Sequence, residues 1–159
     1  MAERFRAAID GGSRGNPGPA AWGVAFLDDD GGCPEGHAGT LGRATNNVAE
    51  YQALIEALRL AGASGARDVE IFADSELIVR QVRGLYRVKH PDLKPLFGEA
   101  MRLIRGFDTF RIEHVPRERN KQADLLVNMA LNREESAPEP VDGAAVILHE
   151  FFDPPLDAG

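Results

Sequence analysis

The first apolar positions alternate: Phe5, Ala7 and Ile9 are separated by Arg6 and Ala8, which predicts a short strand ending at Asp10. Gly11 to Pro19 holds four glycines and two prolines, and predicts a tight loop that is neither helix nor ladder. Trp22, Val24 and Phe26 alternate with small residues as a second strand, Asp28 to Gly32 turns, and Gly36 to Gly42 forms a weaker third strand. The period then changes. Val48, Tyr51, Leu54, Ile55, Leu58 and Ala61 recur at three and four residues, predicting a helix with Asn46 or Asn47 as its N-cap and Gly62 and Gly65 at its end. Val69, Ile71 and Phe72 predict a strand ending at Asp74, and Ser75 caps a helix carrying Leu77, Ile78 and Val82. After the break at His90-Pro91-Asp92, Leu93, Leu96, Phe97, Met101 and Ile104 mark another helix, with Pro95 tolerated in its first turn. Phe110, Ile112, His114 and Val115 form the last strand, and Asn120 to Leu131 the last helix. The order β-β-β-α-β-α-α-β-α predicts an α/β fold: a five-stranded mixed sheet flanked by helices, three antiparallel strands leading into two parallel crossover units.

Charge complicates this picture. The 159 residues carry 18 basic and 25 acidic side chains, a net −7, which taken alone argues against a nucleic-acid partner. Seven of the acids follow residue 133, where there is no Lys or Arg, so the preceding body is neutral. The expected division is therefore a body over 1–132 and an acidic C-terminal tail over 133–159, containing Pro138, Pro140, Pro154 and Pro155. Ala144 to Leu148 and Phe151-Phe152 are too apolar for a free arm, and predict a tail partly docked on the body. With Cys33 as its single cysteine the chain has no intramolecular disulfide and no Cys-based zinc site. It shows neither a membrane-length apolar run nor a signal-peptide block, so a cytoplasmic monomer is expected.

Four carboxylates occupy comparable places: Asp10 and Asp74 at strand ends, Glu50 near the start of the first long helix, and Asp124 in the first turns of the last. If the first and fourth strands are parallel neighbours, Asp10 and Asp74 meet in one crevice. Crowded carboxylates are tolerated when hard cations neutralise them, and an all-oxygen set suits Mg²⁺ or Mn²⁺. Read singly, each acid is as well explained as a helix cap or turn starter; the four together point to a site. The glycine-rich loop lacks the Gly-Lys-Ser/Thr ending of a nucleotide-binding loop and leads to a strand. Its backbone N–H groups and Asn16 suit a phosphodiester beside a metal.

Four segments carry a family resemblance: Asp10-Gly-Gly-Ser-Arg-Gly-Asn-Pro-Gly-Pro19, Thr45-Asn-Asn-Val-Ala-Glu50, Ala73-Asp-Ser75 and Val115-Pro-Arg-Glu-Arg-Asn-Lys-Gln-Ala-Asp124. In order and spacing, over about Arg4 to Leu131, the chain resembles ribonuclease H of type 1, in its archaeal-type branch without the basic protrusion. The resemblance implies the ribonuclease H-like fold and two divalent cations, Mg²⁺ or Mn²⁺, held by Asp10, Glu50, Asp74 and Asp124. It also implies hydrolysis of the RNA strand of an RNA–DNA hybrid to 5′-phosphate and 3′-hydroxyl ends. One ion activates water and the other steadies the leaving oxygen. Asp10 is then shared by both ions, Asp124 serves the water-activating one, and Glu50 lies on the 2′-hydroxyl side. Gly11, Gly12, Asn16, Thr45, Asn46, Asn47, Glu76 and Arg117 become substrate-contact candidates, with Arg119, Arg80, Arg83 and Lys89 as auxiliary cations.

The chain departs from that pattern in three ways. Gly84 to Lys94 is too short for the basic protrusion of many bacterial members, which implies weaker and more salt-sensitive hybrid binding. No histidine lies between Val115 and Asp124, where Arg117 or Arg119 takes its place, and Glu76 adds a negative charge near the substrate. Some members of this branch also cut double-stranded RNA, a second expected substrate. In the tail, Leu148, Phe151 and Phe152 resemble the apolar end of sliding-clamp ligands, with Ala145 in place of the usual glutamine. The alternatives are a non-catalytic nucleic-acid-binding module, or a resolvase or transposase-type nuclease of the same superfold.

Overall fold

The computed structural model describes residues 4–136 and 146–147. Its strands are β1 (Arg4–Ser13), β2 (Gly18–Phe26), β3 (Glu35–Ala44), β4 (Asp68–Ala73), β5 (Thr109–His114) and β6 (Val146–Ile147). The helices are α1 (Asn46–Ala63), α2 (Glu76–Val82), α3 (Lys94–Ile104) and α4 (Lys121–Ser136), with a 3₁₀ turn over Arg117–Arg119. The sheet order is β5-β4-β1-β2-β3-β6. β1, β2 and β3 pair antiparallel, and β1, β4 and β5 parallel, so the five expected strands form the mixed sheet that their pattern predicts. The two-residue β6 adds an antiparallel pairing to β3, at His37 and Ala38. Leu148, Phe151 and Phe152 lie outside the described residues, as do the tail prolines.

Successive side chains of β1 enter opposite faces. Phe5, Ala7 and Ile9 join the larger core, where Tyr51, Leu54, Ile55 and Leu58 of α1 cover the sheet. Ala8 joins a second core with Ala21, Ala25, Ala38 and the α4 residues Ala123, Leu126, Val127 and Ala130. Small side chains on that face let α4 lie close to the strands. A Cβ on Gly23 would stand 2.8 Å from the Ala123 carbonyl oxygen and 2.9 Å from Leu126 Cβ.

Three sequence expectations need correction. Gly11 to Pro19 is not all loop: β1 continues through Gly11-Gly12-Ser13, paired with Trp22, Ala21 and Ala20. Ladder bonds use only backbone groups, and a glycine there lets another element approach. The cap of α1 is Thr45, not Asn46 or Asn47. Thr45 is extended (φ −86°, ψ 166°) and its hydroxyl accepts from the Val48 N–H, while both asparagines are already helical. Finally, α4 runs to Ser136 rather than stopping at Leu131, because its apolar period reports only the buried part of the helix. Ser75 caps α2 as expected, accepting from the Ile78 N–H.

Candidate active site

Asp10 is the first β1 residue past the parallel pairing with β4, which ends at Ile9 opposite Ala73. Asp74 follows directly on Ala73, so the register brings these two acids to one end of the sheet. Glu50 arrives from the second turn of α1, and Gly11 makes that approach possible. A Cβ there would lie 2.2 Å from the Ala49 carbonyl carbon, so only a glycine lets helix and strand meet this closely. Ligand oxygens of Asp10, Glu50 and Asp74 all lie within 4.8 Å of one another. Asp124 is exposed, in the first turn of α4; its side chain hydrogen-bonds Asp10, and it lines the same cleft.

The electrostatics follow from this crowding. Burial, then the charges of Asp74 and Asp124, push the Asp10 carboxyl up to about 8. Burial raises Glu50 well above the usual carboxylate range, with Asp10 and Asp74 adding to the rise. The Gly11 N–H hydrogen-bonds both groups and partly opposes the shift, as does the Arg117 charge at Glu50. Glu50 Oε1 is buried without a hydrogen-bond partner among the described residues. A buried orphan oxygen beside two further carboxylates, with no sulfur or imidazole in the group, fits a hard divalent cation.

Asp10, Glu50 and Asp124 line a cleft of about 320 Å³ together with Gly11, Gly12, Arg14, Asn46, Arg117 and Asn128. Asn16, Thr45 and Asn47 line a neighbouring cleft of about 170 Å³ with His90, Asp92 and Leu93. Asn16 and Asn46 also stitch the β1–β2 hairpin to α1. Asn16 Oδ1 accepts from the Asn46 N–H at 3.0 Å, and Asn46 Oδ1 from the Ser13 N–H at 2.9 Å. The remaining candidates lie outside both linings. Glu76 pairs with Arg80 at 2.6 Å, and that pairing lowers its carboxyl. Arg80 also stacks on Tyr86, 5.3 Å from the ring centroid. Arg83 Nε donates to the Ile112 carbonyl at 3.0 Å, on the β5 side of α2. Arg119 and Lys89 are exposed.

Sequence reasoning missed Arg14 and Asn128, joined at 3.2 Å in the cleft wall. It also passed over Asn120, which it placed at the start of the last helix, four residues before Asp124. Asn120 is 1 % exposed, and its amide donates to the Ile9 carbonyl at 2.8 Å and to Asp74 Oδ2 at 3.2 Å. Only its place beside a catalytic-type acid hinted at this.

Comparison with known proteins agrees with the geometry. Residues 8–130 match a family model described as reverse transcriptase-like. The chain is 47 % identical over 129 residues to a ribonuclease HI of Halobacterium salinarum, covering 81 % of this chain and 65 % of that protein. It is 43 % identical over 143 residues to a bifunctional protein of Mycobacterium tuberculosis, covering 89 % of this chain but 39 % of the relative. The chain thus spans less than two thirds of the length of these relatives. Among solved structures, RNase H1 of Halobacterium salinarum superposes with a TM-score of 0.78 at 47 % identity, over 82 % of this chain and 98 % of that one. LC11-RNase H1, in complex with an RNA/DNA hybrid, does so with a TM-score of 0.78 at 42 % identity, over 83 % and 99 %. Motif order, sheet topology and these likenesses agree: the chain belongs to the ribonuclease HI family.

Proposed function

We propose that this chain is a metal-dependent endoribonuclease that hydrolyses the RNA strand of RNA–DNA hybrids, leaving 5′-phosphate and 3′-hydroxyl ends. The observation that carries this reading is the cluster of Asp10, Glu50 and Asp74, its oxygens within 4.8 Å of one another, with Asp10 and Glu50 lining an open cleft. That a relative, LC11-RNase H1, was solved with an RNA/DNA hybrid supports the substrate.

Asp10, Glu50, Asp74 and Asp124 are the residues that hold two divalent cations, Mg²⁺ or Mn²⁺. Bound there, the cations supply Lewis-acid stabilisation of the phosphoryl oxygens and acidify the attacking water. The chain's own residues do the rest. Asp10 faces both Asp74 and Asp124 and would help each of them hold a cation. Glu50, buried like Asp10, comes from α1 with Asn46 and faces Gly11 of β1. These groups are placed to read the ribose 2′-hydroxyl that separates RNA from DNA. Asp124, exposed at the mouth, orients the incoming water. Arg117 offsets the acidic floor for the arriving phosphodiester. The water oxygen bonds to phosphorus as the P–O3′ bond breaks, and one water proton passes to O3′, leaving a 5′-phosphate and a 3′-hydroxyl.

The test uses labelled RNA–DNA hybrid, duplex RNA and duplex DNA, each with Mg²⁺ or Mn²⁺, against the wild type, Asp10→Asn and Asp74→Asn. Hybrid cleavage is expected in the wild type and a loss of about 100-fold or more in both variants, as several kcal/mol of transition-state stabilisation disappear. Hybrid cleavage that survives Asp74→Asn overturns the site. Cleavage of duplex RNA alongside the hybrid extends the substrate class, and hybrid binding without any cleavage supports a binding module.

A further inference from the structure

Asn120 is among the largest side chains with almost no exposure, and it is the one carboxamide in that set. Both groups facing its amide, the Ile9 carbonyl and the Asp74 carboxylate, are acceptors, so the NH₂ end must point at them. Its Oδ1 is buried with no hydrogen-bond partner among the described residues. A side chain kept polar here, with one end unsatisfied, is held for what its other end does.

The two acceptors belong to two of the acid-bearing segments. Ile9 is the last β1 residue paired with β4 and immediately precedes Asp10; Asp74 is the first residue past β4. One NH₂ group therefore bridges the point where β1 and β4 part, just where their two acids must stay close despite repulsion. The backbone carbonyl of the same residue accepts from the Asp124 N–H at 3.1 Å, starting the turn of α4 that carries the fourth acid.

We propose that Asn120 is a positioning residue: through its NH₂ and its carbonyl it sets the spacing of Asp10, Asp74 and Asp124, and so the affinity of the site for divalent cations. Asn120 touches neither the cleft nor the substrate path, and it acts through Asp74 and the end of β1. This rests on the carboxylate site proposed above.

The test measures Mn²⁺ binding by calorimetry on the full chain, without substrate, for the wild type, Asn120→Ala, Asn120→Ser, Leu126→Ala, Asp10→Asn and Asp74→Asn. Unfolding in EDTA is followed in parallel. Asn120→Ala should weaken Mn²⁺ binding by about 10-fold or more, the usual size of such supporting effects. Asn120→Ser, with one hydroxyl for two acceptors, should fall between it and the wild type. In cleavage assays the half-saturating Mg²⁺ concentration should rise by a similar factor, while KM for the hybrid at saturating Mg²⁺ stays within about twofold. Leu126→Ala removes core packing of α4 on β2 without breaking the Asn120 bridge; it should lower the unfolding midpoint and weaken Mn²⁺ binding far less than Asn120→Ala. If Asn120→Ala does not fold, Asn120→Ser carries the measurement. Unchanged Mn²⁺ affinity in folded Asn120 variants, with Asp10→Asn and Asp74→Asn still abolishing binding, refutes the positioning role alone. Unchanged binding in the aspartate variants themselves refutes the site.

Discussion

A carboxylate that is 7 % exposed, with two others beside it, ionises only against opposition, and this gives Asp10 a pH signature. Its pKa rises from an ordinary 3.8 to about 8 in the metal-free fold. Between those values the folded chain holds a proton that the unfolded chain has released, so stability falls as pH rises through the window. Asp10→Asn lacks the penalty. In EDTA it should be more stable than the wild type at pH 8 by about 1 kcal/mol or more, and near equal at pH 4. Denaturant titrations at the two pH values check this, and equal stability at pH 8 counts against the crowded-acid account. Added Mg²⁺ should reverse the ranking, since the cation stabilises only the chain that keeps the acid. At this scale Asp10 and Asp74 stood out in the sequence as acids ending apolar strands, and Glu50 and Asp124 as acids near helix starts. Asn120 was not, since an asparagine ahead of a helix reads as a cap until its neighbours across the sheet are known.

Elements meet where side chains are missing. α1 reaches β1 because Gly11 has no Cβ to strike the Ala49 backbone, and that contact carries Glu50 into the site. Gly11→Ala should therefore cost about 1–3 kcal/mol of stability and lower hybrid cleavage more than stability alone explains. The unfolding midpoint, and activity measured where the variant is still folded, test this together. Thr45→Ala removes the hydroxyl that accepts from the Val48 N–H, and should cost about 1 kcal/mol in denaturant unfolding. Asn47→Ala should cost much less, because Asn47 lies inside the helix. Strand and helix periods were readable along most of the chain. The glycine-rich segment was misread because a ladder is made by backbone groups, and whether they pair depends on a partner strand rather than on local propensity.

Across the whole molecule the charge is uneven. The net −7 comes from the residues after 133, and five of those acids lie beyond α4, outside the described residues. Truncation after Ser136 leaves a net −2 and removes the β6 pairing along β3. We propose that the acidic tail competes with the nucleic acid for the cleft. The truncated chain should then bind hybrid more tightly at low salt and converge with the full chain as salt rises. Identical affinities at low salt would count against any such competition. Among the described residues no helix is long and apolar enough to cross a membrane. By itself the sequence determined the periods of strands and helices, the acids at their ends and the family those motifs resemble, because burial leaves a local periodic trace. Tertiary structure alone decided how closely Asp10, Glu50 and Asp74 approach one another, that Gly11 admits α1, and that Asn120 bridges two strand ends. These are contacts between residues 24 to 111 positions apart, and no local pattern encodes which distant elements become neighbours.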